Sequence, residues 1–429
     1  MTHMGRRAFA ALTAALTAAH LRPAGAAAAE PPPPGTAPEP PAFESPTLES
    51  PALESPTLES PTLESPALES PAVLDGNLPA FHERLKEELT FPLAWGTSPV
   101  QDFRAWRRKA RATVEEHLLH PADDSPFDAE TADERTGEGC RRRIVHFNAT
   151  RFSRVRATVL LPEGRGPFPA VLLLHDHGSK FDIGKEKLIR PWYDEARLSS
   201  ARAWADRCFD GRFVGDELAR RGYAVLAVDA LGWGDRSGLA YEGQQALAGN
   251  LFHLGSSPAG LMAREDQRAA AFLASLPEVD GERVAALGFS MGAWRAWQVA
   301  ALSDHVRAAV SVCWMTGLKE LMAPGGNTLR GQSAYWMLHP GLSRHLDIPD
   351  VASIAAPKPM LFFNGGRDTL FTAEGVETAY RKLRAVWRSR RADDRLRTEV
   401  WPELGHVFAR EMQDEAFAWL DAWVARARR

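Results

Sequence analysis

The chain has 429 residues, 45% hydrophobic and 25% charged, with a formal net charge of −4. Those proportions suit a soluble globular protein with one large α/β domain plus extensions. A charge this close to neutral, with its basic residues scattered apart from short runs at 141–143 and 388–391, gives no sign of a nucleic-acid binder.

Arg6 and Arg7 precede an alanine-rich apolar stretch at 8–19, and alanines at 26–29 offer a small-residue cleavage site. This is the layout of an export signal over residues 1–29, so a periplasmic or extracellular location is expected. Gly5-Arg6-Arg7-Ala8-Phe9 resembles a twin-arginine signal, although Gly5 replaces the usual Ser or Thr and ordinary secretion stays open. The apolar run is too short for stable membrane insertion. Residues 30–74 are proline-rich, and a Glu-Ser-Pro-Thr/Ala-Leu/Val unit repeats over 44–73. A proline every fifth residue interrupts helix and sheet ladders, and the glutamates repel, so an extended, disordered linker is expected.

From residue 75 the composition turns globular. Residues 81–89 and 100–117 are amphipathic at helical spacing, with Phe103, Trp106, Ala110 and Val114 on one face. A helical extension over 75–139 is therefore expected, packed on a catalytic domain at 140–429. Residues 140–147 and 155–161 alternate like paired edge strands. Short apolar runs then recur at 170–174, 223–229, 283–289, 308–313, 360–364 and 398–401. Helical segments are expected at 199–221, 262–276, 290–302, 372–386 and 411–427. The alternation predicts an α/β fold: a mostly parallel, doubly wound sheet with helices on both faces. In such sheets chemistry gathers at the carboxyl ends of the strands.

Three polar residues are expected there. Ser290 stands at the apex of Gly288-Phe289-Ser290-Met291-Gly292, between a strand and a helix. Asp368 follows the run at 360–364, and His406 follows the last strand. A serine hydroxyl needs a histidine to take its proton and a carboxylate to orient that histidine, and the order Ser, Asp, His fits a triad. Asp347 and Asp350 are reserve acids; Glu403, near His406, is expected to point elsewhere. For an oxyanion hole, the backbone N–H of Met291 and that of His177, in His175-Asp176-His177-Gly178, are the candidates. A His175/His177 metal pair is the competing reading, disfavoured because no third ligand is evident. Cys140, Cys208 and Cys313 are too sparse for a disulfide framework. Cys313 lies in an apolar strand as inert core, and a Cys140–Cys208 bridge is not expected.

These motifs, with Val228-Asp229-Ala230-Leu231-Gly232-Trp233-Gly234-Asp235 and residues 273–280, make the chain from residue 75 resemble the α/β-hydrolase superfamily. The resemblance is to the branch of dienelactone hydrolases and bacterial acetyl-xylan-esterase-like proteins. It implies the triad Ser290, Asp368 and His406. Two departures stand out. Dienelactone hydrolases proper use a cysteine nucleophile where this chain has Ser290. Asp176 also stands where many relatives have glycine in the oxyanion loop. The expected function is an exported serine esterase acting on a small-molecule or carbohydrate ester, without cofactor or metal. The rivals are a peptidase of the prolyl-oligopeptidase type, for whose propeller the chain has no room, and a non-catalytic binding protein. Long stretches at 179–197 and 315–354 carry the aromatic residues that would shape a pocket or pack the loops themselves. Trp294 and Trp297 are expected in the core or pocket wall, and Asp235 and Arg236 near the site's border.

Overall fold

Strand-forming and helix-forming runs alternate along the chain, and they assemble as a single sheet with helices on both faces. The computed structural model describes residues 80–322 and 334–425; the expected export signal and linker lie outside them. The extension opens with α1 (Ala80–Glu87) and α2 (Phe103–His117). Asp102 caps α2 by accepting the Ala105 N–H at 2.7 Å. Phe103, Trp106, Ala110 and Val114 are buried, and Trp106 Nε1 donates to the Leu93 carbonyl. This stripe joins the same apolar core as the sheet, so α2 belongs to the same body as the sheet.

The expected helical stretch 75–139 needs a correction. It ends in a strand, β1 (Glu130–Gly137), paired antiparallel with β2 (Cys140–Thr150). β1 is an almost wholly exposed edge strand of polar residues, so it has no apolar alternation to announce it. The strand is specified by its partner: Gly137 faces Cys140 across a tight reversal. β2 pairs antiparallel with β3 (Ser153–Pro162), as its alternation predicts.

Beyond β4 (Phe168–Leu174) the expected helix at 199–221 is two helices, α3 (Glu195–Cys208) and α4 (Val214–Arg220). The break falls at Asp210 and Gly211, both left-handed with φ of 49° and 73°. An Asp-Gly pair reaches that conformation at little cost, and it ends α3. β5 (Ala224–Val228) follows. Next comes α5 (Tyr241–His253), an unexpected helix whose two glycines, Gly243 and Gly249, dilute its pattern. The remaining elements are α6 (Pro258–Ser275), β6 (Val279–Phe289), α7 (Met291–Leu302), β7 (Val306–Val312), α8 (Leu318–Leu321), α9 (Ile348–Ser353), β8 (Met360–Gly365), α10 (Ala373–Ser389), β9 (Leu396–Trp401) and α11 (Arg410–Leu420). The last expected helix, 411–427, gives way after Leu420 to a π-helical turn at Asp421–Ala425.

The sheet order is β1-β2-β3-β5-β4-β6-β7-β8-β9, antiparallel at the first edge and parallel from β5 onward. Successive strand side chains face opposite ways. Accordingly Ala170, Leu172 and Leu174 join the core that also holds α2, α6, α7 and α10, whereas Val171 and Leu173 join the core of α3, α4 and α11. Both faces are dry, so the central strands read as continuous apolar runs. The parallel register places the ends of β4, β6, β7, β8 and β9 along one edge, and the polar loops converge there.

Candidate active site

β6 ends in a sharp turn that carries Ser290 at φ 55° and ψ −125°. A side chain seldom adopts positive φ, and the strain costs on the order of 1–3 kcal/mol. The surroundings hold it. The Ser290 N–H donates to the Val312 carbonyl at 2.8 Å, and its own carbonyl accepts from Ala293 and Trp294. A Cβ on Gly288 would lie 2.0 Å from the Gly292 oxygen, and one on Gly292 would lie 1.9 Å from the Leu174 oxygen. Glycine is required at both positions because the Ser290 turn, α7 and the end of β4 share this space.

The loop after β8 brings Asp368, and the loop after β9 brings His406. His406 Nδ1 is 2.7 Å from Asp368 Oδ2, and its Nε2 is 2.8 Å from Ser290 Oγ. A carboxylate only accepts, so Nδ1 carries the proton and Nε2 is left to accept from the hydroxyl. The other Asp368 oxygen accepts the Leu370 N–H at 2.9 Å. The Asp368 side chain is 1% exposed and that of His406 25%, so the acid is sealed while the imidazole edge stays reachable. Cys313 lies behind them, its Sγ donating to the Val407 carbonyl at 3.5 Å. Burial, and then the Asp368 charge, raises its pKa, so it stays a protonated core thiol.

The loop after β4 crosses the first turn of α7. His175 is fully buried: Nε2 accepts the Ala230 N–H at 3.0 Å and Nδ1 donates to the Asp176 carbonyl at 2.8 Å. Burial, and then Arg295, holds it well below the usual histidine range, so it is a neutral framework residue. His177 Nδ1 accepts the Ser179 N–H, and burial followed by Lys187 lowers its pKa to about 4. Both ring nitrogens of His175 are engaged, which leaves it no free lone pair for a metal, whereas His177 Nε2 is buried without a hydrogen-bond partner among the described residues. Asp176, the departure from the glycine of relatives, turns its carboxylate inward, 3.3 Å from Lys187 Nζ and 3.1 Å from Trp204 Nε1. Lys187 also donates to the carbonyls of Asp176 and His177, both at 2.9 Å, and Trp233 Nε1 adds a bond to the latter. In a planar trans peptide the N–H opposes the C=O. Drawing those two carbonyls toward Lys187 therefore turns the N–H groups of His177 and Gly178 the other way.

A model of the dienelactone hydrolase family matches residues 210–427, a span containing Ser290, Asp368 and His406. The chain belongs to the dienelactone hydrolase family. "Putative hydrolase YtaP" of Bacillus subtilis (strain 168) is 31% identical over 259 residues, covering 60% of this chain and 80% of that protein. Among solved structures, a glucuronoyl esterase from Solibacter usitatus superposes with a TM-score of 0.57 at 15% identity, covering 77% of this chain and 96% of that one. Methylesterase BT1017 gives 0.55 at 18% identity, covering 78% and 68%. At such identities the likeness is one of fold, the α/β-hydrolase fold.

In this family member the other candidates lie away from the Ser290–His406–Asp368 chain. Asp347 caps α9, accepts the N–H groups of Ile348 and Leu318, and pairs with Lys382; Asp350 completes the cap. Glu403 pairs with exposed Arg367. Asp235 joins Asp229 and Glu186 around the Lys185 ammonium, at 2.6, 2.6 and 3.1 Å. These three carboxylates could ring a metal, but the lysine already supplies the cation. Burial alone would lower the Lys185 pKa; Asp229 and Glu186 outweigh it and raise it. Arg236 pairs with Glu265. Cys140, Cys208 and Cys313 are free and buried. Sequence reasoning missed the role of Lys187. Its only signal was the company of other lysines in the 179–197 stretch. No helix among the described residues is long and apolar enough to cross a membrane.

Proposed function

We propose that this protein is an exported serine esterase of the dienelactone hydrolase family, with Ser290, His406 and Asp368 as its catalytic residues. The observation that carries the reading is the continuous path from Ser290 Oγ to His406 Nε2 and from His406 Nδ1 to Asp368. The Ser290 oxygen bonds to the ester carbonyl carbon while its proton passes to His406 Nε2. Asp368 steadies the imidazolium. The oxyanion is met by the backbone N–H groups of Met291 and His177. Collapse breaks the ester C–O bond, and the leaving alcohol takes the proton from His406. Water, deprotonated by the same nitrogen, then releases the acid. The esterase names of the structural relatives agree with this chemistry without fixing a substrate. Acetylated carbohydrates and short-chain acyl esters are the proposed class. Export rests on the Arg6-Arg7 start and the alanine-rich run that follows.

The test is hydrolysis of p-nitrophenyl acetate and butyrate by the protein and by Ser290→Ala. Turnover should fall by about 10³-fold or more in the variant. Equal rates in the two proteins would sink the assignment.

A further inference from the structure

The motif from Asp229 to Asp235 follows β5, and three of its residues hold the loop that carries His177. The Ala230 N–H donates to His175 Nε2 at 3.0 Å, and Trp233 Nε1 donates to the His177 carbonyl at 2.9 Å. The Gly234 N–H donates to the Phe181 carbonyl at 2.9 Å. These bonds fall before, at and after His177. Among the described residues, neither the His177 nor the Gly178 N–H has a hydrogen-bond acceptor of its own.

The motif is itself closed by a buried charge. Asp229 and Lys185 are each 1% exposed. Asp229 Oδ1 accepts the Lys185 N–H at 2.7 Å, and Oδ2 accepts the Lys185 ammonium at 2.6 Å and the Asp235 N–H at 2.9 Å. The same ammonium reaches Asp235 Oδ2 at 2.6 Å, so one lysine ties both ends of the motif. A Cβ on Gly184 would lie 2.3 Å from Asp229 Oδ1 and 3.1 Å from His175 Nε2. The carboxylate, the lysine loop and the loop of His177 therefore meet at one point. A fully satisfied buried network of this kind holds a single geometry. Trp233 is fully buried, with its ring 5.0 Å from that of His177 and 5.8 Å from that of Trp336.

We propose that Trp233 is a positioning residue for the oxyanion hole and that the Lys185–Asp229 pair acts through it. The proposal rests on the esterase reading of Ser290. Trp233 and Lys187 hold the His177 carbonyl with two donors, and the planar peptide then sets the direction of the Gly178 N–H. The bonds at His175 and Phe181 anchor the loop on either side of His177. The donors are thus aimed before substrate arrives, and their benefit falls on the transition state rather than on substrate binding.

Trp233→Phe keeps an aromatic ring and removes the indole N–H. On p-nitrophenyl butyrate it should lower kcat about tenfold with KM nearly unchanged. Propyl trifluoromethyl ketone reads the hole without turnover. The Ser290 oxygen adds to its carbonyl carbon, the serine proton passes to His406, and the negative oxygen stays in the hole. Its affinity should fall about tenfold in Trp233→Phe, the same factor as kcat. A packing role alone would lower thermal stability and leave the ketone affinity as in the parent. Asp229→Asn, which keeps the side-chain shape, should lower kcat at least as much. Adding Trp233→Phe to it should then cost less than in the parent, with thermal unfolding confirming that each variant folds. Unchanged kcat and ketone affinity in Trp233→Phe, or a rise in KM alone, overturns the positioning role. Fully additive losses overturn the link to Asp229. The esterase stands in both cases. A parent protein that hydrolyses no ester overturns the esterase, and this inference with it.

Discussion

Lys187 is fully buried, and its ammonium donates to three oxygens of a single loop, two of them backbone carbonyls. Burial lowers its pKa, and Asp176 offsets part of that loss. Such a charge is held in the interior only by full hydrogen bonding. Its consequence is the orientation of the His177 and Gly178 N–H groups, so Lys187 is a positioning residue for the proposed oxyanion hole. Lys187→Met should lower kcat on p-nitrophenyl butyrate by about 10²-fold, the scale of losing one oxyanion donor, with KM nearly unchanged. A rise in KM at constant kcat would place the residue in ground-state binding instead. At this scale the proposed triad, Ser290, Asp368 and His406, can be picked out in the sequence because each residue follows a strand in a local motif. Lys187 and Asp176 were not: 11 residues separate them, and only the fold of the loop makes them partners.

α7 follows the Ser290 turn and is tied to the neighbouring helix α6 by a buried ion pair. Arg295 holds Asp266 through Nε at 2.9 Å and a terminal nitrogen at 2.6 Å. Removing one partner leaves an uncompensated buried charge, which costs about 3–5 kcal/mol. Asp266→Ala should therefore lower unfolding stability by about that amount, read from the urea midpoint at unchanged slope. A loss under about 1 kcal/mol would mean that water or a shifted neighbour satisfies Arg295. Elements with a strong apolar period, β4 and β6 among them, were readable in advance. β1 was not, because an exposed polar strand takes its identity from the edge it pairs with. The break between α3 and α4 was hidden by helical spacing on both sides of Asp210 and Gly211.

The whole molecule should be acid-labile in a defined window. His175, His177 and His339 are neutral in the fold, with pKa values held well below the ordinary 6.5, at about 4 for His177 and about 3 for His339, burial being the main cause in each. Between 6.5 and those values the unfolded chain binds more protons than the folded one. Stability is therefore fully present above pH 6.5 and is lost as pH falls, the His177 share levelling off near pH 4 and the His339 share near pH 3. His339→Gln should show a shallower fall in Tm from pH 6.5 to 4 than the parent. Parallel Tm curves would refute the contribution of His339.

The sequence by itself determined the order of the central strands and most of the helices, the doubly wound sheet, and Ser290 and His406 of the proposed triad, with Asp368 as the first of three candidate acids. These follow from apolar periodicity and from short motifs in which glycine is needed for close approach, and both are local properties of the chain. Tertiary structure alone decided that Asp368 rather than Asp347 or Asp350 meets His406 and that Asp176 faces Lys187. Those facts depend on which loops the parallel register brings to one edge of the sheet, and no spacing along the chain encodes the distance between them.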